Sequence, residues 1–162
     1  MSKQSAECCP EFHPEKWDEK TTIWERQQFI KASVPAFFHI PFSWMIGSRI
    51  TKMYELAKDA DAIPDDWLDA IVLFNDPHAF RSDIYMLVIK EVPGAENVTL
   101  SGTFISKVFD GPYNAAPKFM KKLNVYITSL GKEVEDYYVH YAYCPKCMEK
   151  FGHNYQAWFA KV

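Results

Sequence analysis

The same order of hydrophobic patterns occurs twice along this chain of 162 residues, and that repetition constrains the fold more than any single motif. Residues 21–42 are rich in β-branched and aromatic side chains, interrupted by Pro35 and ended by Pro41, which predicts strand structure broken at the first proline. Ile46, Ile50, Met53, Tyr54 and Ala57 then fall along one stripe of a helix over residues 44–60. Past the turn signal Pro64-Asp65-Asp66, the apolar runs 70–74 and 84–89 predict two strands joined by a loop at Asn75-Asp76-Pro77. After Pro93-Gly94 the order returns. A strand over 100–109 leads to a helix over about 114–130, striped by Ala116, Phe119, Leu123, Ile127 and Leu130 with Pro117 in its first turn. Strands over 137–143 and 155–162 follow, with Cys144-Pro145-Lys146-Cys147 in the hairpin between them.

Spacing aligns the two halves. Phe37 and Phe42 bracket one strand as Phe104 and Phe109 bracket another, and Leu73-Phe74-Asn75-Asp76-Pro77 sits where Tyr141-Ala142-Tyr143-Cys144-Pro145 sits. This reads as a duplicated β-α-β-β unit. One such unit has a single helix to cover three strands, so a second copy is needed to bury the remaining apolar surface. The expected fold is α+β, a curved antiparallel sheet of about eight strands with two helices on one face. Residues 1–20 are expected as an arm, and 21–162 as one domain of two repeats, at about 34–92 and 98–162. The groove where the repeats meet is the expected ligand site.

Composition narrows the function. With 18 Lys+Arg against 21 Asp+Glu and a net charge of −3, the chain lacks the basic surplus that phosphate neutralisation needs, so nucleic acid is not an expected partner. Its apolar runs are far shorter than the roughly 18–20 residues of a membrane-spanning helix, and residues 1–10 lack the apolar core of a secretory signal, so a cytoplasmic location is expected. The unusual figure is 12 Phe, 9 Tyr and 5 Trp, or 16% aromatic residues. Most rings serve a core, but Tyr and Trp also suit the wall of an apolar pocket.

Four stretches at the junction of the halves carry a resemblance: Phe80-Arg81-Ser82-Asp83, Val92-Pro93-Gly94-Ala95-Glu96, Gly102-Thr103-Phe104, and Phe109-Asp110-Gly111-Pro112-Tyr113. Over about residues 34–162 the chain resembles the GyrI-like (gyrase-inhibitor-like, SOUL-related) small-molecule-binding family. The resemblance implies an eight-stranded two-repeat sheet with a pocket for bulky aromatic or cationic compounds. No helix-turn-helix segment is evident, so the chain is similar to the stand-alone members, some of which are cyclopropanoid cyclopropyl hydrolases that open the strained ring of DNA-alkylating natural products. Cys8-Cys9-Pro10, Trp17-Asp18-Glu19-Lys20 and Cys144-Pro145-Lys146-Cys147 resemble a group of bacterial and archaeal proteins known simply as hydrolases. The family's usual glutamate, two residues before a tyrosine in the penultimate strand, is replaced here by Tyr141.

Ring opening by water needs a flat pocket, a donor that polarises the distal carbonyl, and a base or positioning group. The expected ligand-binding residues are Trp44, Asp83, Tyr85, Tyr113, Tyr141 and Trp158. Glu91 is the expected base, with Asp83, His39 and His140 as rivals. Asp83, Tyr85 and Glu91 are expected on one face of one strand. No cofactor is required by this reading. Cys8, Cys9, Cys144 and Cys147 are read first as free thiols, with a structural zinc as the alternative: Cys-x-x-Cys lets two sulfurs meet one tetrahedral ion, adjacent cysteines make a poorer second pair, and His13 or His153 can replace a thiol. The expected partner is a hydrophobic aromatic small molecule; the sequence does not specify an oligomeric state. Against hydrolysis stand two alternatives, a non-enzymatic drug-sequestering or sensing domain and a zinc- or thiol-dependent redox protein.

Overall fold

The computed structural model describes residues 11–37, 40–41, 43–65, 71–78, 80–143 and 145–162. Its chain divides into two compact units: a middle unit, Trp24–Ser101, and a terminal unit formed by Met1–Ile23 with Gly102–Val162. The class is mixed α+β. The described residues form seven strands and three α-helices, against the eight strands and two helices expected.

In the middle unit, β1 (Lys20–Phe37, entering at Trp24) pairs antiparallel with β4 (Arg81–Leu87), and β4 with β3 (Val72–His78). The two-residue β2 (Ile40–Pro41) pairs with the end of β1. Strand β1 continues through Pro35 without the expected break. The N–H of Ala36 donates to the Phe80 carbonyl at 2.9 Å, so the nitrogen one residue earlier points to the other edge of β1, where β2 begins only opposite Ala36. A missing donor is tolerated there. Likewise Asn75-Asp76-Pro77 is strand, not loop, with a register shift between Asn75 and His78 that takes up the proline.

Helix α1 (Ser43–Asp59) follows β2. Met53 and Ala57 are buried with Ile30 and Val34 of β1 and Ile84 and Met86 of β4, while Ile46, Ile50 and Tyr54 pack partly buried against the same cluster. These are the residues of the helical stripe read from the sequence. Each large aliphatic side chain buried this way stabilises the unit by about 1.5–3 kcal/mol.

In the terminal unit, β5 (Glu96–Asp110, entering at Gly102) pairs with β7 (Tyr155–Lys161), and β7 with β6 (Asp136–Tyr141). As in the middle unit, the strand before the helix pairs with the last strand, which pairs with the one between. Helix α2 (Ala116–Ser129) has Pro117 in its first turn and buries Phe119, Leu123 and Ile127. It ends at Gly131, whose φ of 74° is one that side chains with a Cβ rarely adopt. Leu130 lies beyond the helix and is exposed. The segment between β6 and β7 is not a plain hairpin loop. It contains α3 (Pro145–Phe151), which starts at a proline whose missing N–H costs no helical bond.

Residues 11–20 pack on the terminal unit's sheet, on the side away from α2. Trp17 meets Phe159 edge-on at 5.4 Å, the Ser106 hydroxyl donates to the Trp17 carbonyl at 2.6 Å, and the Val108 N–H donates to the Asp18 carboxylate at 3.0 Å.

Candidate functional site

Strand register in the middle unit assembles a charged and aromatic cluster. Asp83 of β4 is paired with Ser33 of β1 and Asn75 of β3, and Tyr85, two residues on, with Lys31 and Leu73. Side chains two apart share a face, so this row lies opposite the Ile84 and Met86 row that meets α1. Asp83 is only 2% exposed, and each of its carboxylate oxygens faces a donor or a cation. The Ser33 hydroxyl donates at 2.6 Å, Arg81 Nε lies 3.2 Å from Oδ1, and Lys31 Nζ lies 3.6 Å from Oδ2. Buried charge survives only with such partners.

Aromatic rings continue from this acid. Lys31 Nζ stands 5.7 Å from the Tyr85 ring centre, Tyr85 meets Phe29 edge-on at 6.4 Å, and Phe29 meets Trp24 edge-on at 5.5 Å. One ammonium is thus held between a carboxylate and a ring face. A carboxylate beside a ring face attracts a cation, here the protein's own Lys31.

In the terminal unit, Tyr113 and Tyr141 meet edge-on at 5.6 Å, and the Tyr113 hydroxyl donates to the Tyr143 carbonyl at 2.7 Å. Trp158 lies beneath α2, buried, with its indole N–H donating to Gln156 Oε1 at 3.1 Å. Gln156 is fully buried, and its amide donates to the Pro112 carbonyl. At the end of β5, Asp110 accepts from the Asn154 N–H at 2.9 Å and pairs with His153 Nδ1 at 2.8 Å. Burial pushes the Asp110 carboxyl up, but the Asn154 N–H and His153 outweigh it and hold the group below the usual aspartate value. The Tyr155 hydroxyl, stacked on His153, is pushed up by burial and by the charges of Asp110 and Glu15. The Asn154 side chain is buried without a hydrogen-bond partner for Nδ2 or Oδ1.

Asp83 and Tyr85 therefore come together in one unit and Tyr113 and Tyr141 in the other, while Trp158 lies inside a core. Glu91 is a correction. β4 ends at Leu87, and Glu91 stands exposed in the following segment, not on the strand beside Asp83 and Tyr85. Trp44 is the second residue of α1, with its side chain outside the description. His39, Cys8, Cys9 and Cys144 lie outside the described residues; Cys147 is buried in the first turn of α3. Among the described residues no group of three or more metal-ligating side chains occurs. A surface hollow of about 450 Å³ along α2, lined by Pro117, Lys118, Lys121, Lys122 and Val125, includes none of the candidates.

Sequence reasoning missed Lys31 and Ser33. Arg81 lies two residues before Asp83 and so shares its face by period alone. Lys31 and Ser33 join the cluster only through the β1–β4 register, which no local signal specifies.

Comparison with known proteins places these features. A family model described as bacterial hydrolase matches residues 1–162. Among solved structures the chain is similar to SAV2435, determined with bound tetraphenylphosphonium, at 11% identity and TM-score 0.54 over 88% of this chain and 92% of that one. It is also similar to a protein from Staphylococcus aureus MU50 described as a bacterial transcription regulation protein, at 12% identity and TM-score 0.48 over 90% and 98% of the two chains. No match is found among curated proteins. The likeness to SAV2435 shows a GyrI-like fold.

Proposed function

We propose, from the premise that this chain belongs to the bacterial hydrolase family over its whole length, that it binds bulky aromatic small molecules carrying a positive charge, and that the Asp83–Tyr85 face of the middle unit receives them. The observation that carries this reading is the Lys31 ammonium lying between the Asp83 carboxylate and the Tyr85 ring. A ligand cation entering in its place would meet the same acid and the same ring, which is backed by the buried Phe29 and Trp24. Desolvated cation–ring contacts contribute about 2 kcal/mol. The tetraphenylphosphonium bound by SAV2435, of like fold, has this chemistry.

The test is a fluorescence titration with tetraphenylphosphonium and with uncharged triphenylphosphine oxide. The wild type is expected to prefer the cation, and Asp83→Asn to lose about tenfold in that preference, equivalent to about 1.4 kcal/mol. Absent binding of the cation, or unchanged affinity in both Asp83→Asn and Tyr85→Ala, overturns the reading.

The family's description as hydrolase favours a second reading, in which the bound molecule is also opened by water and cyclopropanoid alkylating toxins are the substrate class. His140, half-buried against Phe12 at 5.9 Å, is then better placed as the base than exposed Glu91, while Asp83 is taken up by Ser33, Arg81 and Lys31. Mass spectrometry decides it. Ring-opened product beyond one equivalent supports turnover, and stoichiometric protection without product supports binding alone.

A further inference from the structure

We infer that the terminal unit has a ligand face of its own, for uncharged flat aromatic molecules bearing a carbonyl, and that residues 11–19 occupy it as a displaceable strap. Strand register defines the face. Ser106 of β5 is opposite Phe159 of β7, which is opposite Tyr138 of β6, and the next row on that side is Val108, Ala157 and His140. The middle unit has the same arrangement with different chemistry. Ser33 stands ten residues before the start of α1, and Ser106 ten before the start of α2. Ser33 is paired across the strands with Asp83, whereas Ser106 is paired with Phe159. A ring in place of the carboxylate removes the attraction for a cation and keeps that for another ring.

The arm satisfies this face as such a ligand would. Trp17 supplies a flat ring against Phe159 at 5.4 Å, and its carbonyl accepts from the buried Ser106 hydroxyl at 2.6 Å. Phe12 supplies a second ring, 5.9 Å from His140 and 5.5 Å from Tyr155. The hold is partial: Phe12, Pro14 and Trp17 are half-buried, and every other residue from 11 to 19 is exposed. At the root of the strap Glu19 has a φ of 54°, a left-handed conformation that is strained for a residue with a side chain and recurs where chains switch. Releasing the strap can relieve that strain. It also frees two donors for a ligand, the Ser106 hydroxyl and the Val108 N–H now given to Asp18. A tethered segment competes at high effective concentration, so the affinity of a free ligand is set by how often the strap is off.

The probe is prodan, an uncharged naphthalene ketone whose emission moves to the blue in apolar surroundings. Added to the full chain, it is expected to bind saturably and to speed trypsin cleavage after Lys16 and Lys20. Trp17→Ala removes the internal occupant and should tighten binding about tenfold. Asp18→Ala removes the strap's bond to Val108 and alters no buried residue. It should tighten binding several-fold, and it decides the question where Trp17→Ala fails to fold. Ser106→Ala added to Trp17→Ala should take back most of the gain. Saturable binding that leaves cleavage of the arm unchanged overturns the inference, as does no binding, or unchanged affinity in both arm variants. Tetraphenylphosphonium should meet Trp17→Ala as it meets the wild type; a parallel gain would put both ligands on one face and overturn the inference as well.

Discussion

The indole N–H of Trp158 donates to the side-chain oxygen of Gln156, two residues earlier on the same face of β7, at 3.1 Å. The bond closes a buried polar network, because the Gln156 amide in turn donates to the Pro112 carbonyl where the chain enters α2. Trp158 thus joins the strand to the start of the helix that covers it.

Trp158 is accordingly expected to govern stability more than ligand binding. Trp158→Ala should cost about 3–5 kcal/mol in urea unfolding. Gln156→Leu leaves the indole N–H and the Pro112 carbonyl without partners, and should cost about 1–3 kcal/mol for each group left bare. Affinity of the folded fraction for tetraphenylphosphonium should stay near that of the wild type in both. Normal melting with weakened binding would place Trp158 in the ligand site after all.

Lys31 occupies the position assigned to a ligand cation. Lys31→Met removes that competitor and keeps the aliphatic stem along Tyr85, so affinity for tetraphenylphosphonium should rise several-fold in titration. Ser33→Ala instead removes a donor from a buried carboxylate. It should lower stability by about 1–3 kcal/mol. A fall in cation affinity for Lys31→Met would show that Lys31 holds the site open.

Gly111 marks a close approach between the end of β5 and α2. A Cβ at this position would stand 2.7 Å from Phe119 Cζ, on a ring that is buried and stacked on Phe109 at 4.8 Å. Gly111→Ala should therefore cost about 1–3 kcal/mol. Combining it with Phe119→Leu should cost less than the two changes added, measured as a coupling energy in a double-mutant cycle.

Asp110 gives the terminal unit a dependence on acid. Its folded pKa lies below the unfolded one, so its contribution is fully present above the ordinary aspartate value of about 3.9 and is lost as the pH falls through the lower folded value. Asp110→Asn should lower the melting temperature at neutral pH and make its fall below about pH 4 shallower. Parallel acid profiles for variant and wild type would remove Asp110 from the account.

Local periodicity determined most of the elements. The stripes through Met53 and Ala57, and through Phe119, Leu123 and Ile127, became the buried faces of α1 and α2, because a helical repeat of apolar residues has one way to leave water. The family likeness was legible too, in stretches such as Gly111-Pro112-Tyr113 leading to α2. Strand partners were not. Lys31 and Ser33 gained their meaning from pairing with Tyr85 and Asp83 across 50 or more positions, and a register shift of one residue would have turned them to the opposite face. Glu91 lies beyond the end of β4 and is exposed, and Trp158 is buried in the core. Burial depends on what packs above a side chain, and the intervals between residues in the chain carry no record of it.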